Sequence, residues 1–347
     1  MILMSTDWHF GKSNGKFDQI ILKGIKEQCE YAKKHNIKVF FNLGDILDNK
    51  QTLSLNTLNT ISEAIGMLLE TFDEIYFIVG NHDMSRKGLG AETHNLKFLK
   101  IHEKIKVIDE PEIIEIGNKE IFVLPFVDNN LIKKIDLQKA DYLFGHIEVK
   151  NFLFNSFAKA EHGFETTQLK DYKRVLLGHF HGKQEKKNIR YIGNLCRFFY
   201  GENDEERGWS VLDLENDEIE FIPYEHPSLF KINLSELKSD NSEEIFNRFK
   251  KGDNLKLIID QKIKFSELEE LKSKLVLEYG INELVLDDQY YAFDLEEDED
   301  DTIEIDGQEL EIDFSSYLLE ELKKSKEIGY IDEVIDYLKE KSKNYKE

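Results

Sequence analysis

The sequence predicts a layered α/β protein, and three observations carry that prediction. Short apolar runs alternate with amphipathic segments through residues 1–200, the order expected when helices cover a sheet. Several of these runs end in Gly, Asp or His. Hydrophobic residues make up 40% and aromatics 12% of the 347 residues, enough for a sizeable core despite 33% charged residues, so wholesale disorder is excluded. At roughly 100 to 200 residues per domain, the length accommodates about two domains and an appendage.

Met1 to Ser5 reads as the first strand. Asp18 to His35 follows as a helix, because Leu22, Ile25, Cys29 and Ala32 share one face. Val39 to Leu43 is a second strand, about Leu53 to Thr71 a second helix, and Ile75 to Val79 a third strand. Ile121 to Leu124, Tyr142 to Phe144, Val175 to Leu177 and Arg190 to Ile192 are short runs of β character. Trp209 to Leu214 and Ile219 to Tyr224 resemble a closing hairpin with its turn at Glu215-Asn216-Asp217. Residues 1–225 are therefore assigned to one domain. A smaller α+β unit is assigned to 226–291, with helices near Ser242 to Lys250 and Phe265 to Tyr279 and strands at Leu255 to Ile259 and Leu284 to Leu286.

Between Asp287 and Asp313 the chain carries 14 Asp/Glu and no Lys or Arg. Such a block repels itself, and residues 292–313 are expected to be an extended linker. Beyond it, Phe314, Tyr317, Leu318 and Leu322, then Ile331, Val334, Ile335 and Leu338, fall at helical spacing on either side of Gly329. These two amphipathic helices, 314–347, either pack back on the body or bind a partner. The long acidic tether favours the partner.

The net charge of -23 argues against retention on nucleic acid by bulk electrostatics alone. The acidity is local, however: residues 1–200 carry 28 Lys/Arg against 26 Asp/Glu. Cys29 and Cys196 fit no CxxC spacing, so neither a disulfide framework nor a thiolate metal site is expected, and a reducing cytoplasm is the expected location. The N-terminal apolar run reaches a charge at Asp7, too soon for a signal peptide, and no stretch approaches a membrane span.

The chemistry lies at the strand ends. Asp7-Trp8-His9 follows the first strand, Gly44-Asp45-Ile46-Leu47-Asp48 the second, and Gly80-Asn81-His82-Asp83 the third. Gly145-His146 and Gly178-His179-Phe180-His181 follow two later ones. Ligands of open α/β sheets bind beyond the carboxyl ends of strands, so these residues should converge at one edge. Carboxylate, imidazole and amide without thiolate suit manganese, iron or zinc better than magnesium alone. So many such groups exceed one ion's needs, whereas two ions sharing a carboxylate can clamp both oxygens of a phosphoryl transfer. Each motif alone could be a turn, a cap or a satisfied structural histidine; the set in this order is specific.

In these motifs the sequence resembles the calcineurin-like metallophosphoesterases, and among them the nuclease subunits of SbcC–SbcD-type DNA break-processing complexes. Its compact form and Lys/Asn/Ile-rich composition resemble the bacteriophage recombination endonuclease subunits of that group. The resemblance implies a four-layer α/β sandwich with a small α+β capping domain and a C-terminal helical pair. It further implies that Asp7, His9 and His181 hold one divalent ion, that Asn81, His146 and His179 hold the other, and that Asp45 bridges them. His82 is then free to act as general acid, with Asp48 hydrogen-bonded to it. The implied activity is 3'-5' exonuclease and endonuclease cleavage of double-stranded DNA with manganese. The implied assembly is a homodimer whose residues 314–347 bind the coiled-coil root of an SbcC-like ATPase, in the cytoplasm, or the host cytoplasm if viral.

Lys12, Lys16, Arg86, Lys87, Lys183, Lys186, Lys187 and Arg190 suggest a locally basic rim that could position phosphates. His35, His94, His102, His162 and His226 lack a ligand pattern and are read as unrelated to metal. Two other functions stay open on the residues alone: a phosphoesterase acting on a nucleotide or phosphoprotein, and a scaffold for the ATPase with a weakened site. The additional domain weighs against the first and the complete ligand set against the second.

Overall fold

A computed structural model describes residues 1–49, 52–84, 94–153, 158–202, 206–288, 302–305 and 308–311. The first half of the chain contributes β1 (Ile2–Ser5), α1 (Asp18–His35), β2 (Val39–Asn42), α2 (Leu55–Thr71), β3 (Glu74–Ile78), β4 (Ile105–Ile108), β5 (Glu112–Ile116), β6 (Lys119–Leu124) and β7 (Tyr142–His146). There follow β8 (Arg174–Gly178), β9 (Gln184–Lys186), β10 (Ile189–Tyr191), β11 (Gly208–Asp213) and β12 (Glu218–Pro223). Two six-stranded sheets result, in the orders β12-β11-β1-β2-β3-β4 and β5-β6-β7-β8-β10-β9. Strands β1 to β4 are parallel, as are β6, β7, β8 and β10, while β11, β12, β5 and β9 run antiparallel to their neighbours.

The period-2 pattern of each central strand decides the layering. In the first sheet Leu3, Phe40, Ile75 and Phe77 point to one face and pack with Ile21, Ile25, Ala32, Ile61 and Leu68 of α1 and α2. Their neighbours Ile2, Met4, Phe41, Tyr76 and Ile78 point the other way, onto Ile121, Val123, Phe144 and Leu176 of the second sheet. The outer face of that sheet buries Phe122, Leu143, Val175 and Leu177 against Phe152, Phe164, Leu169 and Tyr172. Among the described residues that outer cover is irregular chain with one short 3-10 turn at Ile132–Lys134, in place of α-helices. The architecture is therefore helices, sheet, sheet and a loop layer.

Helix α1 ends at Asn36 in the left-handed conformation, with Lys33, Lys34 and His35 in the last turn complementing the helix dipole. Helix α2 begins two residues after Leu53 because the Ser54 hydroxyl caps Thr57 N–H at 3.1 Å. Cys29 and Cys196 are buried free thiols.

The chain divides into two compact units. The first comprises Met1–Ile258 and Ile263–Asp287. Its C-terminal part holds β13 (Leu229–Asn233), α3 (Leu234–Leu237), α4 (Ser242–Phe246), β14 (Asn254–Ile259), α5 (Phe265–Leu277) and β15 (Glu283–Asp288), with the three strands in sequence order. The second unit, Ile259–Lys262 with the chain from Asp288, is described in the acidic run by an antiparallel pair, β16 (Thr302–Ile305) and β17 (Gln308–Glu311). This pair lies within the stretch expected to be a linker, where the sequence places Asp306-Gly307, a strong hairpin dipeptide, between alternating Ile303, Ile305 and Leu310. The helices expected over 314–347 lie outside the described residues, as do Arg86 and Lys87.

Candidate metal centre

Strands β1, β2, β3, β7 and β8 all deliver their carboxyl ends to one edge. The loop after β1 is laced to the loop after β2 as though the parallel pairing continued: Asp7 N–H donates to Gly44 O at 2.9 Å, His9 N–H to Asp45 O at 3.0 Å, and Phe10 N–H to Ile46 O at 2.9 Å. Asp7, His9, Asp45 and His179 all take positive φ, between 50° and 94°. Such backbone is sparsely populated by residues other than glycine and collects at sites where the surroundings over-determine it. Gly44, at φ 112°, and Gly80 admit no side chain: a Cβ on the first would overlap the His146 ring and on the second the Asp45 carboxylate.

Three groups of donors result, the ligand atoms within each lying within 4.8 Å of one another: Asp7, His9 and His181; Asp45, His146 and His179; and His9, Asp45 and His82. Asn81 joins the second group, with Oδ1 at 3.0 Å from His146 Nε2 and 2.9 Å from His179 Nδ1. Asp45 Oδ2 lies between the first two groups, 3.2 Å from His146 Nε2 and 3.9 Å from His9 Nε2. Asp7, His9, Asp45 and His146 are buried; His179 and His181 are partly exposed.

The far nitrogens fix which ring atoms face inward. His146 Nδ1 donates to the Leu43 carbonyl at 2.8 Å, His9 Nδ1 lies 3.2 Å from Asp48 Oδ1, and His179 Nε2 lies 3.3 Å from Glu148 Oε1. Each partner can only accept as a carbonyl or ionised carboxylate, so the opposite nitrogen of each neutral ring presents a lone pair. The lone pairs of His146 and His179 meet Asn81 Oδ1 and Asp45 Oδ2; that of His9 meets His181 Nε2 at 3.1 Å. Buried Asp7 Oδ1 has no hydrogen-bond partner and lies 4.0 Å from both His9 Nε2 and His181 Nε2. Acceptors converging in this way call for positive charge at the centre, and the residues fit divalent cations.

The electrostatics agree. Burial disfavours a charged His146, yet the Asp45 carboxylate beside it carries its pKa up to about 9. Burial likewise opposes ionisation of Asp45, and the surrounding histidines nevertheless hold it far below the usual carboxylate range. Asp48, pushed up by burial but held down by His9 and Lys12, falls to about 2.

The hydrogen bond expected between Asp48 and His82 is made through the Asp48 backbone, and the carboxylate Oδ1 lies 3.9 Å from the same ring nitrogen. His82 Nδ1 donates to the backbone carbonyl of Asp48 at 3.0 Å, while the Asp48 carboxylate engages His9 and, at 2.9 Å, Lys12 Nζ. Two contributors have roles that the sequence motifs do not assign, Asp83 being quoted there without one. Asp83 is buried and accepts from the N–H groups of Ile46, Leu47 and Gly80 at 3.0–3.1 Å, tying the loop after β2 to the loop after β3. Glu148 orients His179 and is itself held by Asn129 at 2.9 Å. The basic rim is largely neutralised: Lys12 pairs with Asp48, Lys16 with Glu283, Lys183 with Glu206 and Arg190 with Glu185. His35, His94 and His226 fall in none of the three donor groups; His94 donates to Asp109, and His35 stacks on Tyr31.

Residues 1–183, which hold every residue named in the donor groups, match the family model described as calcineurin-like phosphoesterase. The chain belongs to the calcineurin-like phosphoesterase family. This phosphoesterase is 32% identical to exonuclease subunit 1 of Enterobacteria phage T4, over 64% of this chain and 67% of the relative. It is 27% identical to the SbcD component of the SbcCD nuclease of Staphylococcus epidermidis, over 64% and 69% of the two chains. The DNA double-strand break repair protein Mre11 of Methanocaldococcus jannaschii is 24% identical, over 73% and 72%. The buried His/Asp groups are thus the dimetal-type site of a metallophosphoesterase with nuclease homologues. None of the helices among the described residues is long and apolar enough to cross a membrane.

Proposed function

We propose that the protein is a two-metal DNA phosphodiesterase, the nuclease subunit of an SbcC–SbcD-type complex that processes double-strand breaks for recombination. The observation that carries this reading is the set of inward lone pairs: carboxylate, amide and imidazole acceptors meet around two adjacent centres, with the His146 and His179 rings hydrogen-bonded from behind. Asp7, His9 and His181 would hold one ion, Asn81, His146 and His179 the other, and Asp45 would serve both. Bound manganese would supply charge for the phosphate oxygens and activate water for attack. His82 commits its Nδ1 proton to the Asp48 carbonyl, which leaves Nε2 for the substrate. Protonated there, it donates to the leaving oxygen as general acid. Asp48 positions both rings, His82 through its carbonyl and His9 through its carboxylate.

The relatives' names, an exonuclease subunit, a nuclease subunit and a DNA double-strand break repair protein, support DNA as the substrate; 3'-5' exonucleolytic and endonucleolytic cleavage is part of the proposal. By the same relation, residues 1–225 form the nuclease domain, 226–291 a capping domain, 292–313 a connector and 314–347 the helices that engage an SbcC-like ATPase, in a homodimer. Incubation with linear double-stranded DNA and manganese, with and without such an ATPase, tests the reading. Nucleotide release that requires manganese and rises with the ATPase and ATP is expected; hydrolysis of nucleotides or phosphoproteins without any cleavage of DNA would overturn it.

A further inference from the structure

Beside the donor groups the chain holds an aromatic ring out into solvent. Consecutive phenylalanines take opposite roles in the segment after β10. Phe198 is buried and meets the His9 ring edge-on at 5.5 Å. Phe199 is 51% exposed, and its ring runs nearly parallel to that of His181, with 17° between planes and centroids 6.4 Å apart. Lys12 Nζ lies 5.1 Å from the Phe199 ring centre. Among the described residues two phenylalanines are exposed: Phe98 lies on the 3-10 helix Asn95–Ile101, and Phe199 stacks on a residue of the donor groups.

The loop that presents this ring is built. Glu202 Oε2 accepts from the N–H groups of Phe198 and Phe199 at 3.2 and 3.3 Å, Arg197 Nε donates to Glu202 O at 2.9 Å, and Gly201 N–H donates to Leu229 O at 2.8 Å. Buried Arg207 lies 3.8 Å from the Glu202 carboxylate and donates to the backbone carbonyl of His181 at 3.0 Å, joining this loop to the donor group. The ordered loop thus holds a flat apolar surface open beside the donor groups, where a planar ligand could cover it.

We propose that Phe199 is a stacking platform for the nucleobase attached to the scissile phosphate, making it a specificity element of the metal centre. The inference rests on the DNA phosphodiesterase reading above. A nucleotide carries a flat base a short sugar's reach from its phosphate, matching a ring that stands one side chain away from His181. A base within a duplex has both faces covered by its neighbours, so the platform takes a base at a terminus or in an unpaired stretch. Stacking of this kind tolerates all four bases.

The test is a cycle between enzyme and substrate. Wild-type, Phe199→Ala and Phe199→Trp enzymes are assayed with manganese on an oligonucleotide and on the same oligonucleotide abasic at the cleaved terminus. Phe199→Ala should lower kcat/KM on the intact substrate about tenfold to a hundredfold. The abasic substitution should cost the wild type a similar factor and cost Phe199→Ala little more, while Phe199→Trp restores the preference for a base. Independent, multiplying losses, or full activity of Phe199→Ala on intact DNA, would overturn the platform while leaving the nuclease reading in place. A manganese titration showing that Phe199→Ala loses an ion would also overturn it, since the ring would then be supporting His181. If the wild type cleaved a small phosphodiester but neither oligonucleotide, the DNA reading would fail and the platform with it.

Discussion

The division of labour among the histidines can be separated by single substitutions. His82 has a backbone carbonyl behind it and 37% side-chain exposure, whereas His9 and His146 are buried with their inner nitrogens against carboxylates. His82→Ala should therefore lower phosphodiester cleavage by roughly 10²- to 10⁴-fold while both manganese ions still bind. Asp45→Ala removes the carboxylate between the two groups and should lose metal; calorimetric titration of both variants distinguishes the outcomes. The donor residues were legible in the sequence because their chemistry is rare and each follows a short apolar run. Glu148 and Asp83 were not, because they act on a ring's far nitrogen and on backbone N–H groups, contacts that no local pattern announces. Asp48 was legible as a partner of a histidine, but which of its oxygens met which ring depended on the fold.

At the level of elements, the site exists because loops from different strands are tied to one another. Asp83 is the tie between the ends of β2 and β3, and its three N–H partners are buried with it. Asp83→Ala would leave these donors unsatisfied, at about 3 kcal/mol or more. A lower melting temperature together with weaker manganese binding is expected, and unchanged values in both would remove Asp83 from this role. The central strands were readable because both their faces are buried, so β1, β2, β3, β7 and β8 appear as unbroken apolar runs. The edge strands of the second sheet were not: β5 alternates Glu with Ile, and β9 is Gln184-Glu185-Lys186, with no apolar residue to mark it. The outer loop layer had no periodicity to read.

For the whole molecule, stability should depend on pH through His226, which links the region before β13 to Arg197. Its Nε2 accepts from Arg197 N–H at 3.0 Å and its Nδ1 donates to Tyr224 O at 2.9 Å. Burial, assisted by Arg197 and Arg207, lowers its pKa to about 4. The unfolded chain titrates this group near pH 6.5 and so binds more protons across the interval. Stability should fall as pH drops from about 6.5 to about 4, by up to about 3 kcal/mol, and level below that. His226→Gln should flatten this part of the melting curve against pH; an unchanged slope would assign the dependence elsewhere.

Deletion of residues 314–347 should leave manganese-dependent cleavage in place and abolish ATPase binding, as read by pull-down with matched melting curves. Persistent binding would place the partner surface elsewhere. The central claim is the pair of metal positions, and anomalous diffraction at the manganese edge from crystals grown with manganese measures them directly. Two peaks are predicted, one among Asp7, His9, Asp45 and His181 and one among Asp45, Asn81, His146 and His179, with Asp45 touching both. A single peak, or a second one that excludes Asp45, would contradict the two-metal site.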